Sequence, residues 1–179
     1  LTGHGDLGPG DADDEGTLIL WNSETGEEVG RLPMPFATTE IVIHDSGLVA
    51  AVSARMGDEV ETLLVDLESQ AVTAAVPEFG PVVFTSTPGL GLGRLLIGGL
   101  DGIVTAYNLL SGEQGNDIRP SRLERLGTIE VFVGLPDLRV SVTALMAAGD
   151  LAAVGSGVYF DGALPDDYAG AVAFIDLRT

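Results

Sequence analysis

Short apolar runs alternate with turn-forming residues along the chain, and one phrase recurs four times. Its first copy, GTLILWNSETGEEVGRL at Gly16–Leu32, is an apolar run, a polar turn and a second run. The later copies are VETLLVDLESQAVTAAV, GIVTAYNLLSGEQG and GAVAFIDLRT. Val, Ile, Leu and Thr dominate the runs and turn residues separate them, so the pattern predicts short strands rather than helices.

A polar residue ends the most apolar strand of each copy and marks the length of the repeat. These residues are Asn22, Asp66, Asn108 and Asp176, which lie 44, 42 and 68 residues apart. The first two spacings are typical of four-stranded propeller blades, which repeat about every 40 to 50 residues. Two predicted insertions, Ser111–Leu126 and Val158–Gly170, account for the longer third spacing.

The repeats predict an all-β fold: a β-propeller of about four consecutive four-stranded blades, the first and last incomplete. The predicted blades span residues 1–33, 38–77, 81–133 and 139–179. The strands of the second blade are predicted at Thr39–His44, Leu48–Ala54, Val60–Asp66 and Ala71–Val76, and the fourth strand of the third blade at Gly127–Val133. A two-sheet sandwich remains the alternative, because it also contains regular short strands.

The first copy carries a resemblance to known propeller families. LILWNSETGEEVGRL, from Leu18 to Leu32, resembles the last two strands of a WD-repeat or quinoprotein-type blade, in which a strand ends in Trp-Asp or a similar pair and a TG turn follows. The chain departs from the WD pattern at Gly3 and His4, which precede Trp21 by too few residues to hold three intervening strands. We therefore expect His4 in the loop between the second and third strands.

The last copy resembles a different group of propellers. AGDLAAVGSGVYFDGALPDDYAGAVAFIDL, from Ala148 to Leu177, is similar to integrin-like FG-GAP repeats and to other bacterial surface propeller repeats. Together, the two resemblances cover nearly the whole chain as architecture. They imply a propeller, but not one particular family.

Two long loops are candidate binding segments. His4–Gly16 and Val158–Gly170 each contain 13 residues and several acids, and each connects the second and third strands of its repeat. The resemblance implies that this connection lies on the face where propellers usually bind ligands, so both loops should project from one face. Long loops in compact domains are often functional. The candidate residues of the second loop are Asp161, Asp166 and Asp167, with solvated surface as the alternative.

The first loop carries a candidate calcium site. In DADDEG, Asp11, Asp13 and Glu15 occupy alternate positions before Gly16. Calcium binds several carboxylate oxygens together with carbonyls, and a D-x-D-x-[D/N]-G phrase gathers them in a short turn. Integrin-like repeats are similar in that they bind calcium through a related phrase. Here Glu stands at the third acidic position, and Ile19 stands where a later acid is expected.

Calcium at this loop should raise the melting temperature as its concentration rises, because it binds the folded form and relieves repulsion among the carboxylates. Magnesium should do less, because it dehydrates reluctantly and requires stricter octahedral geometry. The test is a thermal melt in calcium, magnesium or chelator, repeated on the double variant Asp11→Asn/Asp13→Asn. Equal responses to the two cations, or a full response in the double variant, would leave only a charged surface.

Composition limits the classes of partner. The net charge is −19, with 27 acids against 8 bases, and every base is arginine. Nucleic-acid binding requires a basic surface, so we expect no nucleic-acid partner. Strong acidity keeps a protein soluble in a salty or extracellular setting. We therefore expect an extracellular or cell-surface location, with the cytoplasm of a salt-adapted organism as the alternative.

Missing residue types limit the chemistry further. The chain has no cysteine, so it offers neither a disulfide nor a cysteine-ligated metal. No apolar run approaches the roughly 18 residues of a membrane helix, so we expect no membrane insertion. The chain begins without methionine and stops inside a predicted turn, so we expect further propeller blades outside it. An open piece of a propeller should expose blade faces and associate or unfold easily.

Catalytic motifs are sparse. HDS at His44–Ser46 contains the residue types of a catalytic triad, but neighbours on a turn point apart, and a hairpin turn is the better interpretation. GLGLGRLLIGG at Gly89–Gly99 lacks the spacing of a phosphate-binding loop and runs into a strand, so we interpret it as a connector.

Two sets of larger side chains have structural interpretations. Arg119, Arg122 and Arg125 crowd into RPSRLERL and are predicted to form surface ion pairs, each worth about 0–1 kcal/mol, with an acidic partner as the alternative. Trp21 and Tyr107 occupy matching strand positions and are predicted to pack within the blades.

These patterns predict a noncatalytic propeller domain that binds a protein, small molecule or glycan, or acts as a scaffold, in a secreted or cell-surface protein. The alternative is a fragment of a propeller enzyme, such as a quinoprotein dehydrogenase or a hydrolase. Such an enzyme needs acids, histidines or an aromatic cofactor platform around the central channel. With two His and one Trp in the chain, we expect no enzymatic activity and no cofactor besides calcium.

Overall fold

The computed structural model describes residues 2–4, 16–35, 37–56, 59–86, 92–111, 120–132, 140–158 and 170–178. Every regular element in these ranges is a β-strand, which confirms the predicted all-β class. None of these residues belongs to a helix with the length and hydropathy needed to cross a membrane.

The strands follow one another in four short antiparallel series. They are β1 (Thr2–His4), β2 (Gly16–Trp21), β3 (Glu28–Met34), β4 (Ala37–Ile43), β5 (Val49–Met56), β6 (Glu59–Asp66), β7 (Ala71–Val76), β8 (Val82–Thr85), β9 (Arg94–Gly98), β10 (Ile103–Ser111), β11 (Pro120–Glu130), β12 (Val140–Ala148), β13 (Leu151–Val158) and β14 (Val172–Asp176). Strands that are neighbours in sequence pair within each series.

Each series forms one sheet, which we call a blade. Blade 1 is β1–β3, blade 2 is β4–β7, blade 3 is β8–β11 and blade 4 is β12–β14. Consecutive four-stranded antiparallel sheets of this order are the building units of a β-propeller. The first and last blades have three described strands each, which confirms the predicted partial propeller with incomplete end blades.

Middle strands of blades 2 and 3 contain continuous buried stretches. Residues 49–54 of β5, 62–66 of β6 and 95–98 of β9 are all buried, whichever face of the sheet their side chains occupy. A strand with both faces covered needs apolar or small residues at every position. This is why the runs in the sequence are continuous rather than alternating.

The chain forms two compact units. The first comprises Leu1–Phe79 and Ser111–Arg122, and its core lies between blades 1 and 2. The buried residues of this core are Leu18 and Met34 from blade 1, and Ala50, Val52, Leu63 and Val65 from blade 2. Each large apolar side chain buried here contributes about 1.5–3 kcal/mol, so this shared core holds the two blades together.

The second unit comprises Gly80–Leu110 and Leu123–Thr179, and its core lies between blades 3 and 4. The buried residues are Leu96 and Val104 from blade 3, and Val142, Ala152, Val154, Ile175 and Leu177 from blade 4. At one end of this core, Nη1 of Arg94 donates a hydrogen bond of 2.7 Å to the carbonyl oxygen of Leu177. This bond joins the start of β9 to the residue after β14.

The structure corrects the fourth strand of blade 3. It is Pro120–Glu130 and not the predicted Gly127–Val133. Strand residues also occupy both ends of the predicted insertion Ser111–Leu126, because β10 extends to Ser111 and β11 begins at Pro120. Most residues of β11 are exposed, so hydrophobicity does not mark this strand in the sequence.

The structure also corrects the position of His4. This residue is predicted in a loop, but it is the last residue of β1 and pairs with Thr17 of β2. β2 begins at Gly16, so both end residues of the predicted loop His4–Gly16 belong to strands.

Candidate functional site

The acids predicted to bind ligands lie outside the described residues. They are Asp11, Asp13, Glu15, Asp161, Asp166 and Asp167. The calcium site and the projection of the two acidic loops from one face therefore stay predictions. Within the ranges that the structure describes, no three His, Asp or Glu side chains are grouped so that they could hold a metal ion.

Two of the repeated polar residues, Asn22 and Asp66, close turns between consecutive strands of their blades. Oδ1 of Asn22 accepts a hydrogen bond of 2.8 Å from the backbone N–H of Glu24. In blade 2, Oδ1 of Asp66 accepts bonds of 3.0 and 2.7 Å from the backbone N–H groups of Glu68 and Ser69. Asn and Asp side chains that bond the backbone two or three residues ahead stabilise a local turn. At these two positions, the repeated phrase therefore encodes turn geometry.

The fifth residue of each of these turns adopts a left-handed backbone. Gly26 has a φ of 71° and Gln70 has a φ of 52°. Glycine adopts this conformation freely, whereas glutamine is strained in it. The side-chain amide of Gln70 lies against Gly30 of blade 1, where a Cβ atom would overlap it. Because Gly30 has no side chain, the amide of Gln70 can contact the neighbouring blade 1.

A shallow groove lies beside Gln70 in the first unit. Its cavity volume is only about 20 Å³, and its apolar lining includes Leu20, Leu32 and Leu67. Arg31, which also borders the groove, forms two hydrogen bonds of 3.1 and 2.9 Å with the carboxylate of Glu28. Small-molecule sites usually enclose about 300–1,000 Å³ and carry converging polar groups. The groove falls below that volume, so we assign no ligand to it.

His44 and its neighbours form a hairpin turn. Nδ1 of His44 lies 2.9 Å from Oγ of Ser46 and accepts a bond of 3.1 Å from the backbone N–H of Ser46. The carbonyl oxygen of His44 accepts a bond of 2.8 Å from the N–H of Gly47. The HDS segment therefore connects β4 to β5 through local bonds.

Two further segments from the sequence analysis fall partly within the described residues. Arg122 and Arg125 lie on β11 and are exposed, whereas Arg119 lies outside the described residues. In the glycine-rich segment, residues Arg94–Gly98 form β9, and residues 89–91 lie outside the described ranges. The arginine ion pairs remain a prediction.

Trp21 and Tyr107 differ sharply in exposure although they occupy the same repeat position. Each directly precedes the polar residue of its repeat, but Tyr107 is 4% exposed and Trp21 is 41% exposed. Val65 and Ile175 hold this position in blades 2 and 4 and belong to the two cores, each facing the preceding blade. The predicted packing is confirmed for Tyr107, whereas Trp21 is only partly buried.

Blade 4 exposes one apolar face. The large side chains of this blade 4 face are Met146, Leu151, Val172 and Phe174, with exposed fractions of 69%, 49%, 66% and 69%. Strand pairing places Met146, Ala153 and Phe174 in one row across the three strands. The alternate residue Ile175 points into the core instead. Single exposed apolar residues are common on proteins, whereas several on one sheet face make that face a candidate interaction surface.

An ion pair borders the blade 4 face. Nε and Nη2 of Arg178 donate hydrogen bonds of 2.9 and 2.6 Å to the carboxylate of Asp176, and the backbone N–H of Arg178 donates another of 3.0 Å. These bonds, the side-chain bond above all, lower the pKa of Asp176 from its usual 3.8 to about 2. The rim of the face thus keeps a paired charge at neutral pH.

Titration of Asp176 tests whether it forms the ion pair with Arg178. We expect its NMR-detected pKa to be about 2, and Arg178→Gln to raise it, because that variant removes the main hydrogen-bond donor. Since the folded pKa is depressed, the pair stabilises the fold above about pH 3.8 and loses this effect as the pH falls towards 2. Acid sensitivity in that window should shrink in Arg178→Gln. A pKa that is the same in both proteins would contradict the pairing.

Comparisons with known proteins support the same architecture. No protein-family model and no curated protein sequence matches the chain. The β-propeller domain of Cps50 (Swd1) from Myceliophteria thermophila aligns with a TM-score of 0.52 and 17% identity, over 80% of this chain and 48% of that chain. A chain of the mitotic checkpoint complex aligns with a TM-score of 0.54 and 16% identity, over 93% of this chain and 44% of that chain.

A third solved structure, BamB from Moraxella catarrhalis, aligns with a TM-score of 0.45 and 14% identity, over 89% of this chain and 56% of that chain. The chain thus spans about half the length of the structures it matches. At these identities, the first two alignments show the fold alone. They confirm the predicted likeness to β-propellers.

Sequence reasoning predicts that an open piece of a propeller exposes blade faces, but it does not name the residues. The residues can be found at the repeat position two residues before the polar residue that marks each repeat. Leu20, Leu64, Ala106 and Phe174 hold this position in the four blades. Leu64 is fully buried and Phe174 is largely exposed. Aligning the repeats on these polar residues therefore identifies Phe174 as the centre of the blade 4 face.

Proposed function

We propose that this chain is a noncatalytic binding and scaffold domain that acts through protein–protein contacts. The blade 4 face carries this proposal, because Met146 and Phe174 lie in one row on either side of Ala153 and have large exposed fractions. The centres of protein interfaces are enriched in aromatic residues and Met and depleted of charge. The face has this composition, and its charged pair lies at the edge.

The roles of other polar residues support a noncatalytic domain. Asn22 and Asp66 close turns, and His44 is bonded within a hairpin. Each therefore serves the fold. One of the matching structures is, by its title, part of a complex. The strongly acidic composition supports a location outside the cell or on its surface.

Site-specific photo-cross-linking tests the proposed function. Phe174 is replaced by p-benzoylphenylalanine, an aromatic residue of similar shape, and the chain is expressed in the organism that encodes it. The matched control carries the same residue at Leu126, which is 47% exposed but lies on β11 outside the blade 4 face. We expect covalent products with an identified protein, or with another copy of the chain, at position 174 only.

The control position decides the outcome. Products that form equally at positions 174 and 126 would indicate general stickiness and contradict a specific interface. A chain that folds, as judged by circular dichroism, but forms no product at position 174 would also overturn the proposal.

A further inference from the structure

We propose that the hydroxyl of Ser46 is a modification site that accepts an acyl group from an activated donor, such as an ester or thioester, with His44 as the general base. The site lies in the turn between β4 and β5 of blade 2, so it is separate from the blade 4 face. Its basis is the contact of an exposed hydroxyl with an imidazole nitrogen, which lies 2.9 Å from it.

The hydrogen bonds of the turn determine which nitrogen of His44 can take a proton. The backbone N–H of Ser46 donates a bond of 3.1 Å to Nδ1 of His44. Nδ1 therefore carries a lone pair, and the neutral ring holds its proton at Nε2. Oγ of Ser46 lies 2.9 Å from the same Nδ1, so its hydroxyl donates to that nitrogen. The imidazole is thus placed to remove this proton when Oγ attacks an electrophile.

A second set of bonds fixes the hydroxyl oxygen in place. The backbone N–H of Leu48 donates a bond of 3.3 Å to Oγ of Ser46. A hydroxyl oxygen has two lone pairs, so one remains for the reagent. Gly47 has a φ of 72°, and its N–H donates a bond of 2.8 Å to the carbonyl oxygen of His44, which closes the turn. Because Ser46 is exposed, a dissolved acyl donor can reach it.

The bonds within the turn favour a lasting ester over catalytic turnover. Enzymes that hydrolyse esters stabilise the oxyanion with N–H groups that point at it. Here, the N–H groups of Ser46, Gly47 and Leu48 all bond to atoms of the turn itself. We therefore expect the acyl group to stay on Ser46, which agrees with the proposed noncatalytic domain.

The acyl transfer balances with the donor as the only further reactant. Oγ of Ser46 forms a bond to the carbonyl carbon, and the bond from that carbon to the leaving group breaks. The proton of Oγ moves to Nδ1 of His44 and then to the departing group. The products are a serine ester and the free alcohol or thiol of the donor.

Ser69 provides an internal control in the same blade. Its Oγ donates a hydrogen bond of 2.9 Å to Oδ1 of Asp66, and Ser69 is also exposed. The two hydroxyls therefore share exposure and hydrogen-bond length, and they differ in the base that accepts the proton. Free carboxylates titrate near pH 4 and free imidazoles near pH 6.5, so a carboxylate is the weaker base. Activation by the base should thus appear at Ser46 and not at Ser69.

Acetylation by the N-hydroxysuccinimide ester of acetic acid tests the site. The chain has no lysine, so no lysine amine competes for this reagent. The purified protein is treated at neutral pH, and the acetyl ester on each serine is followed with time by peptide mass spectrometry. We expect Ser46 to react at least tenfold faster than Ser69, because a positioned general base contributes about 10²–10⁴-fold in a closed active site.

Two variants separate the base from the geometry of the turn. In His44→Asn, the side-chain oxygen can replace Nδ1 as the acceptor for the N–H two residues ahead, as Oδ1 of Asn22 does for Glu24. An amide oxygen accepts a hydrogen bond but is not a base, so the rate at Ser46 should fall to that at Ser69. Ser46→Ala should remove this modification and leave the rate at Ser69 unchanged. Circular dichroism and thermal melting verify that both variants are folded.

Two results would overturn the proposal. Ser46 could react no faster than Ser69 in the wild-type chain, which would show that its hydroxyl is not activated. Alternatively, folded His44→Asn could react at Ser46 as fast as the wild type, which would show that His44 is not the base. Neither result changes the cross-linking expected at position 174, so this proposal and the proposed function can fail separately.

Discussion

Replacing Gly93 by alanine should destabilise the protein by about 3 kcal/mol and lower its melting temperature by roughly 6–12 °C. Gly93 directly precedes β9 and has a φ of 87°, a conformation that side chains with a Cβ rarely adopt. A Cβ at this position would also overlap the backbone carbonyl oxygen of Thr85 in β8. Backbone cannot swing aside as a flexible side chain can, so the strain and the overlap add.

Gly149 provides the matched control for this substitution. Its φ of 56° is also left-handed, but a Cβ there would meet no atom within 4 Å. Gly149→Ala should therefore lose only the conformational term, about 1 kcal/mol. Thermal melts of both variants separate backbone strain from overlap. Equal losses in the two variants would mean that the β8–β9 hairpin is less tightly closed than the structure shows.

The strands of blade 2 could be predicted closely because turn residues mark both of their ends. β7 spans Ala71–Val76, as the sequence predicts, and β6 begins one residue before the predicted Val60. Asp66 and Gln70 bound the turn between these strands through a side-chain bond and a left-handed backbone. Where turn-forming residues end a strand, its last residue can be predicted from the sequence.

Blade 3 could not be predicted as well, because its boundary depends on strand pairing. Asn108 does not end β10, which continues to Ser111. The side-chain amide of Asn108 lies 3.5 Å from the carboxylate of Glu124 on β11. β11 is an outer strand with many exposed charged residues, so its sequence resembles a solvated insertion. Pairing with β10 holds β11 in the sheet, and no local sequence pattern predicts that pairing.

The degree of exposure of individual side chains also cannot be predicted from the strand pattern. Trp21 and Tyr107 have equivalent positions and similar chemistry, yet only Tyr107 is buried. The repeat pattern predicts which side chains share a face of a blade, but it does not predict how far each face is buried. The acidic loop residues lie outside the described ranges, so their role rests on sequence alone.

Leu96→Ala should destabilise the second unit by about 3 kcal/mol. Leu96 is fully buried on β9, where it pairs with Val83 of β8 and Ala106 of β10. It also belongs to the core that blades 3 and 4 share. Because hydrogen-bonded strands flank it on both sides, the backbone cannot collapse to fill the space. The loss therefore includes the transfer of the deleted atoms to water and a cavity term.

Two comparison variants show whether the loss of stability comes from the cavity at the buried position. Leu126→Ala deletes the same atoms from a side chain that is 47% exposed and should change stability by less than about 0.5 kcal/mol. Leu96→Met keeps the volume in the core and should cost under about 1.5 kcal/mol. Urea unfolding measures all three, and an unchanged m-value shows that the denatured state is the same. If Leu96→Ala lost no more than Leu126→Ala, the core between blades 3 and 4 could not be packed as the structure shows.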